Sequence, residues 1–295
     1  MQFIKKTITE WINAEPFELA AALSYYTLFS LAPLLIIAIS VAGLVFGREA
    51  AQNEIAETLK GVVGEESAQT VQGMIEGAGS KPKAGIISAV IGFVALLFGA
   101  SGVVGQLQSS LNKIWKVAPK PGQGVWGFIR QRFFSFAMVL AIGFLLLVSL
   151  VVSAVLASLT EMLSGLFGEA KVIAHIVDIL VSFGFIALLF ALIYKYVPDV
   201  EIQWRDVWVG AAITSVLFTL GKFLIGLYIG TSGVTSGYGA AGSILTVLLW
   251  VYYSSLIFFF GAEFTRVYAS EYGSGVVPSE HAQPADANAS PQVAK

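Results

Sequence analysis

Cysteine is absent, and histidine occurs only at His175 and His281. Without thiols there is neither a disulfide framework nor a thiolate metal site. A zinc phosphodiesterase gathers several His and Asp ligands in short motifs, and two histidines far apart cannot supply them. Charge is scarce too: Asp, Glu, Lys and Arg make up 12% of the chain, against roughly a quarter in soluble domains. The net charge of -2 gives no basic field for nucleic acid. No phosphate-binding GxxxxGKS/T loop occurs, so a transport activity would draw on a gradient. No metal, cofactor or enzymatic activity is expected.

What is abundant is apolar surface in long runs. Hydrophobic residues are 56% of the chain, with a mean hydropathy of +0.78. The stretch Tyr238 to Tyr268 sets the pattern, because Ser243 to Ala262 carries no charge at all. About 20 residues at ~1.5 Å each cross a hydrocarbon core of roughly 30 Å. The fold class expected is an all-α integral membrane protein, a bundle of about six transmembrane helices with an interfacial helix at its N-terminus.

Residues 1–18 form that first unit: Phe3, Ile4, Ile8, Trp11 and Ile12 recur at helical spacing between Lys5, Lys6 and Glu10. Spans are expected near 19–46, 84–107, 133–157, 173–197, 207–229 and 243–266 within a membrane domain over 19–272. The first of these is far longer than a cleavable signal core. Between the first two, the polar segment 48–80 has the spacing of two short amphipathic helices outside the bilayer. The Gly, Ser, Pro and Ala-rich stretch 273–295 is expected to be disordered. With an N-terminus on the cytoplasmic side, Lys5, Lys6, Lys113, Lys116, Lys120, Arg130, Arg132, Lys195, Arg205 and Arg266 all fall inside, whereas the two short outer loops hold only Lys171. Both termini are therefore expected in the cytoplasm.

The segments LAAALSYYTLFSLAP (Leu19 to Pro33), LNKIW (Leu111 to Trp115), FLLLVSL (Phe144 to Leu150), YVPD (Tyr196 to Asp199) and WRDVW (Trp204 to Trp208) are followed by YGAAGS (Tyr238 to Ser243), WVYY (Trp250 to Tyr253) and GAEF (Gly261 to Phe264). Together they resemble the YihY/BrkB family of bacterial inner-membrane proteins, over nearly everything but the last residues. The resemblance implies a six-helix protein of the inner membrane. The family has carried the labels ribonuclease BN and serum-resistance factor, and the resemblance transfers no catalytic residue. The residues themselves disfavour a ribonuclease, since the polar segments offer no acid and base beside a basic groove.

Polar groups inside spans cost on the order of 2.5 to 3.5 kcal/mol for a charge and usually mark a path or a partner. Lys222 shares a helical stripe with Ala211, Ser215, Thr219 and Gly226, while His175, Asp178 and Ser182 form another. Lys222 either pairs with Asp178 in the bundle or snorkels to the headgroups. Tyr26 and Ser30 share a face of the first span, and Glu263, Tyr252 and Leu245 a face of the last. The tyrosines either bond to neighbouring serines such as Ser24, Ser30 or Ser254 or line a cavity. Glu263 and Arg266 have the spacing of a helical ion pair. Arg130 and Arg132 act as topology determinants or contact an anionic headgroup. Gly43 with Gly47 and Gly226 with Gly230 are expected to pack helices. A permease or flippase for a small anionic solute or lipid, using Lys222, Asp178, His175, Tyr26, Ser30, Tyr252 and Glu263, is the expected function. The rival is a non-transporting scaffold or assembly factor whose stripes are packed and dry. The bilayer, with an anionic lipid or small solute, is the expected partner, and nucleic acid is not.

Overall fold

A computed structural model describes residues 2–63, 65, 68–73, 102–121, 170–231 and 240–285. The spans expected at 84–107 and 133–157, together with Arg130 and Arg132, lie outside these residues apart from 102–107. The six-span count is therefore open.

Helix α1 (Gln2–Asn13) ends in a turn at Glu15, which takes left-handed angles (φ 59°) before Pro16 opens α2. Proline suits that first helical position because the N–H it lacks would have no partner there. Helix α2 (Pro16–Phe46) stops at Gly47, whose φ of 84° an L side chain rarely adopts and whose N–H donates to the Gly43 carbonyl at 3.1 Å. Helix α3 (Arg48–Val63) doubles back against α2, followed by a helical stretch at 68–73. Helix α3 contains Ile55, Leu59, Val62 and Val63 of the first segment read as amphipathic, and Val71 of the second is buried in the stretch 68–73, whereas Met74 and Ile75 lie outside the described residues.

Helix α4 covers 102–114 and leads through Lys116 (φ 56°) into strand β1 (Val117–Pro119). Helix α5 (Ala170–Tyr196), strand β2 (Val200–Glu201), helix α6 (Trp204–Thr231) and helix α7 (Ala240–Glu271) follow. Among the described residues, three windows, Pro16–Ser40, Trp204–Tyr228 and Ala241–Glu271, are long and apolar enough to cross a membrane, and Leu180–Tyr196 is a shorter apolar helix.

Helix α7 is the central post. It packs against α6 on one side and α2 on another, with α1 across its last turns, and α6 in turn packs against α5. The α6–α7 seam closes backbone to backbone at two glycines. A Cβ on Gly210 would lie 1.7 Å from Thr265 Oγ1, and one on Gly261 would lie 1.9 Å from Thr214 Oγ1. Both threonines stay satisfied by donating to the carbonyl one turn back, Thr265 to Gly261 and Thr214 to Gly210, each at 2.7 Å. Tyr194 of α5 enters the same seam fully buried and donates to the Phe258 carbonyl at 2.7 Å. The packing glycines are thus Gly210, Gly261 and Gly221, the last against Tyr253 and Ile257. Of the pairs expected from the sequence, Gly47 serves the turn, Gly226 has open space where a Cβ would go, and the surroundings of Gly230 lie outside the described side chains.

The chain beyond α7 corrects the expectation of disorder from residue 273 onward, for residues 273–285. Strand β3 (Val277–Pro278) pairs antiparallel with β2, and β4 (Ala282–Pro284) pairs with β1, in the register Val117 to Pro284 and Pro119 to Ala282. Composition pointed to a solvated tail, but the backbone finds partners in two extended segments that leave α4 and α5 at the same end of the bundle. Adding a methyl group where the helices touch forces them apart, at about 1 to 3 kcal/mol. Gly210→Ala and Gly261→Ala should each lower the thermal unfolding midpoint of the detergent-solubilised protein, and Gly226→Ala should leave it unchanged.

Candidate functional site

Helix α2 exposes three aromatic rings in one patch: Tyr25 at 59%, Tyr26 at 43% and Phe29 at 63% exposure. Positions four residues apart on a helix are neighbours, so the Tyr25 ring lies 4.8 Å from that of Phe29, and the Tyr26 ring reaches within 6.0 Å of Tyr25, edge-on. Glycine at the start of α4 borders the patch. A Cβ on Gly102 would meet Tyr26 Cδ1 at 3.4 Å and Ser30 Oγ at 3.6 Å. Neither tyrosine hydroxyl has a hydrogen-bond partner among the described residues. Tyr25 is nine residues beyond Pro16, so along a span it stands roughly 14 Å in, close to half of a ~30 Å core. A hydroxyl left unpaired in hydrocarbon costs about 1 to 3 kcal/mol.

Lys222 is exposed on α6 among Leu220, Phe223 and Leu224, all exposed as well. The stripe inferred from the sequence is one position out of phase. Ala211 and Ser215 are buried, whereas Thr219, Lys222 and Gly226 turn outward and the seam is continued by Phe218, Gly221 and Ile225. Lys222 is six residues before Tyr228, or roughly 9 Å from that end of the span, within reach of a boundary for a side chain that snorkels. His175 and Asp178 lie on α5, with their side chains outside the described set. Ser30 is buried beside Tyr26, and Tyr252 is half-buried against the core. Ser24 donates to the Ala20 carbonyl at 2.8 Å. The candidate residues therefore do not converge: Tyr26 and Ser30 are together, and Lys222 and Glu263 are at opposite ends of the α6–α7 pair.

Glu263 sits near the end of α7 with its side chain 1% exposed. Arg266, three residues on, donates to its Oε1 from Nε at 3.0 Å and from Nη2. The same Nη2 reaches Glu10 Oε2 at 2.8 Å, and Lys116 Nζ reaches that oxygen at 2.6 Å. The helical ion pair expected from spacing is thus formed, but it belongs to a chain of charges that joins α7 to α1 and to the end of α4. Lys6 with Glu271 at 2.7 Å and Lys113 with Glu15 flank it. The hydrogen bond and charge of Lys116, aided by Arg266, hold the Glu10 carboxyl below its ordinary value against the opposing effect of partial burial.

Two carboxylates that sequence reasoning passed over organise the rest of this end. Asp199 accepts from Asn112 Nδ2 at 2.7 Å and Gln108 Nε2 at 3.2 Å, its own N–H donates to Asn112 Oδ1 at 2.8 Å, and its carbonyl accepts from Ser279 N at 3.0 Å. Asp206, 2% exposed in the first turn of α6, accepts from both Ser274 N and Ser274 Oγ at 2.8 Å. The available signals were Asp199 after a proline and Asp206 at a helix start, where a carboxylate complements the dipole. Among the described residues no three His, Asp or Glu side chains gather as a metal site would require.

The sequence pattern described as Virulence factor BrkB matches residues 7–286. The chain belongs to the BrkB family. That match reaches beyond β4, so the ordered segment after α7 lies within the BrkB region. Relatives named UPF0761 membrane protein include one from Pseudomonas aeruginosa, 30% identical over 82% of this chain and 57% of its own length. Another, from Verminephrobacter eiseniae, is 28% identical over 88% of this chain and 60% of its own. A third, from Glaesserella parasuis, is 31% identical over 63% of this chain and 62% of its own. The BrkB chain therefore spans less than two thirds of the length of these relatives. No solved structure matches. The relatives' names and the long apolar helices make it a membrane protein.

Removing Arg266 strands a buried carboxylate, which typically costs about 3 to 5 kcal/mol. Arg266→Met should therefore destabilise the solubilised protein more than Glu263→Gln does, as read by thermal unfolding. Because the folded Glu10 pKa is below its ordinary value of 4.5, its contribution is full above that value and is lost as pH falls through the folded one. The protection factors of α1 amides, with the intrinsic pH dependence of exchange divided out, should fall over that acidic window in the wild type and show no such step in Glu10→Gln.

Proposed function

We propose that this BrkB-family chain is a flippase-like permease of the bacterial inner membrane, with both termini in the cytoplasm, that moves an anionic lipid or small anionic solute along its lipid-facing surface. The observation that carries this reading is the pair of exposed hydroxyls of Tyr25 and Tyr26, without a hydrogen-bond partner among the described residues and near mid-depth of a span. A polar group moving across the hydrocarbon needs donors at the depth where water is absent, and hydroxyls there offset part of its desolvation. Lys222, exposed on the outer half of α6 in this orientation, supplies a cation where an anionic headgroup would arrive or leave. The path is thereby moved from the α6–α7 seam, which Thr214, Thr265 and Tyr194 fill, to the outside of the bundle. On this reading the chain breaks no covalent bond and is not an enzyme.

The rival reading is a scaffold or assembly factor that moves nothing. It is favoured by the same filled seam and by the ion pairs and strand pairs that lace one end of the bundle. Purified protein in liposomes, with a fluorescent phosphatidylglycerol reporter and an impermeant quencher, separates the two. The permease reading expects protein-dependent loss of protected signal, slowed about tenfold or more by Tyr25→Phe with Tyr26→Phe and by Lys222→Met, each removing on the order of 1.4 kcal/mol or more from the barrier-lowering contacts. Should the wild type leave both labelled lipid and small anions where they started, the scaffold reading replaces it.

A further inference from the structure

The apolar face of α1 read from the sequence is divided in the folded chain between two neighbours. At 100° per residue, Phe3, Thr7, Glu10 and Trp11 fall on one side of the helix, and that side meets α7. The Phe3 ring lies 5.1 Å from Phe264 and 5.6 Å from Tyr272, the Trp11 ring is 5.7 Å from Phe260, and Thr7 is fully buried. Lys5, Thr9 and Asn13 fall on the opposite side and are exposed. Between these sides runs a ridge of Ile4, Ile8 and Ile12, exposed at 59%, 43% and 55%. A protein-facing edge, a polar edge and an uncovered apolar ridge on one short helix match the three surroundings found where a membrane protein meets the bilayer surface.

Two further observations say what covers the ridge. It continues into Phe17, exposed at 54% in the first turn of α2, so it joins the outward surface of a helix long enough to span. At the junction of α5 and α6, Tyr196, Trp204 and Trp208 are exposed, Tyr196 edge-on to Trp204 with ring centroids 5.9 Å apart and Trp204 tilted against Trp208 at 6.4 Å. They stand at the same level as α1, because α6 starts beside Ser274 and Thr265 while Phe3 lies beside Phe264 and Tyr272. Exposed amphipathic rings at the height of α1 mark a headgroup boundary.

We propose that α1 is seated in the lipid leaflet at this end, with Ile4, Ile8 and Ile12 in the acyl boundary, and that it acts as the cover over the Glu263–Arg266 pair. Glu10 reaches Arg266 from the protein-facing side of the helix, so the seat that sinks the isoleucines also holds the lid over a carboxylate that is 1% exposed. Lifting α1 would open that pair to water.

The cysteine-free sequence allows the seat to be tested in the full chain with single nitroxides. Ile8→Cys, Ile12→Cys, Thr9→Cys and Asn13→Cys are labelled and reconstituted in vesicles of phosphatidylcholine with a minority of phosphatidylglycerol. Collision with oxygen, which partitions into lipid, is compared with collision with a water-soluble nickel chelate. The expected oxygen-to-nickel ratio is higher at 8 and 12 than at 9 and 13 by roughly tenfold. A water-like ratio at all four positions overturns the proposal. So does shielding of 8 and 12 from both reagents, which would place a second copy or a partner protein on the ridge. For the lid, with Glu263 and Arg266 both kept, the α7 amides around 263–266 should gain access to solvent deuterium in an Ile8→Asp, Ile12→Asp variant relative to the wild type. Unchanged access with α1 demonstrably lifted would show that α1 is not the cover. Neither measurement depends on transport.

Discussion

The α6–α7 seam is the contact on which the rest of the structure depends. Two glycines bring the helices so close that the hydroxyls of Thr214 and Thr265 occupy the space a side chain would need, and each hydroxyl bonds back to its own helix. In an apolar medium there is little hydrophobic gain in pressing two greasy helices together, so close van der Waals packing and satisfied hydroxyls supply the association. Tyr194 then ties α5 into the same seam through the Phe258 carbonyl. Once α6 and α7 are locked in register, their ends are fixed, and Asp206 is carried to the point where Ser274 can meet it.

The fixed end is where polar chemistry collects. Asp199 joins α4 to the bend after α5, Asp206 joins α6 to the segment after α7, and Arg266 joins α7 to α1 through Glu10. At Gly273 a Cβ would fall 2.4 Å from Asp206 Oδ2, so the chain passes this carboxylate with no room for a side chain. The opposite flank is different in kind. Tyr25, Tyr26, Phe29 and Lys222 look outward and are held by nothing polar of their own among the described residues. Paired carboxylates at one end, and side chains without polar partners among the described residues along the outer faces, separate what holds the fold from what meets the surroundings.

Some of the site was legible before the fold. The Glu263–Arg266 pair follows from spacing alone, because three residues on a helix bring the side chains together whatever else happens. Its extension to Glu10 and Lys116 was not legible, since those residues are distant in sequence and no periodicity links them. Lys222 was placed on one stripe with Ala211 and Ser215, with pairing in the bundle and snorkelling both open, and it is exposed where those two are buried. An error of about one residue is enough, because each step turns the helix by roughly 100°. The segment after α7 was read as solvated from its small, polar composition, yet short strands need only free backbone groups opposite them, and β1 and β2 provide these.

The sequence by itself determined that long apolar helices exist and that the chain resembles a membrane family. Those properties are local sums: length, hydropathy, and glycine or proline at the ends. Only the tertiary structure decided which side of each helix is inside. Helices α2, α6 and α7 are apolar around most of their circumference, so no stripe announces a direction. The direction is set by where two backbones can approach most closely, and that is a property of pairs of helices that no single one of them encodes.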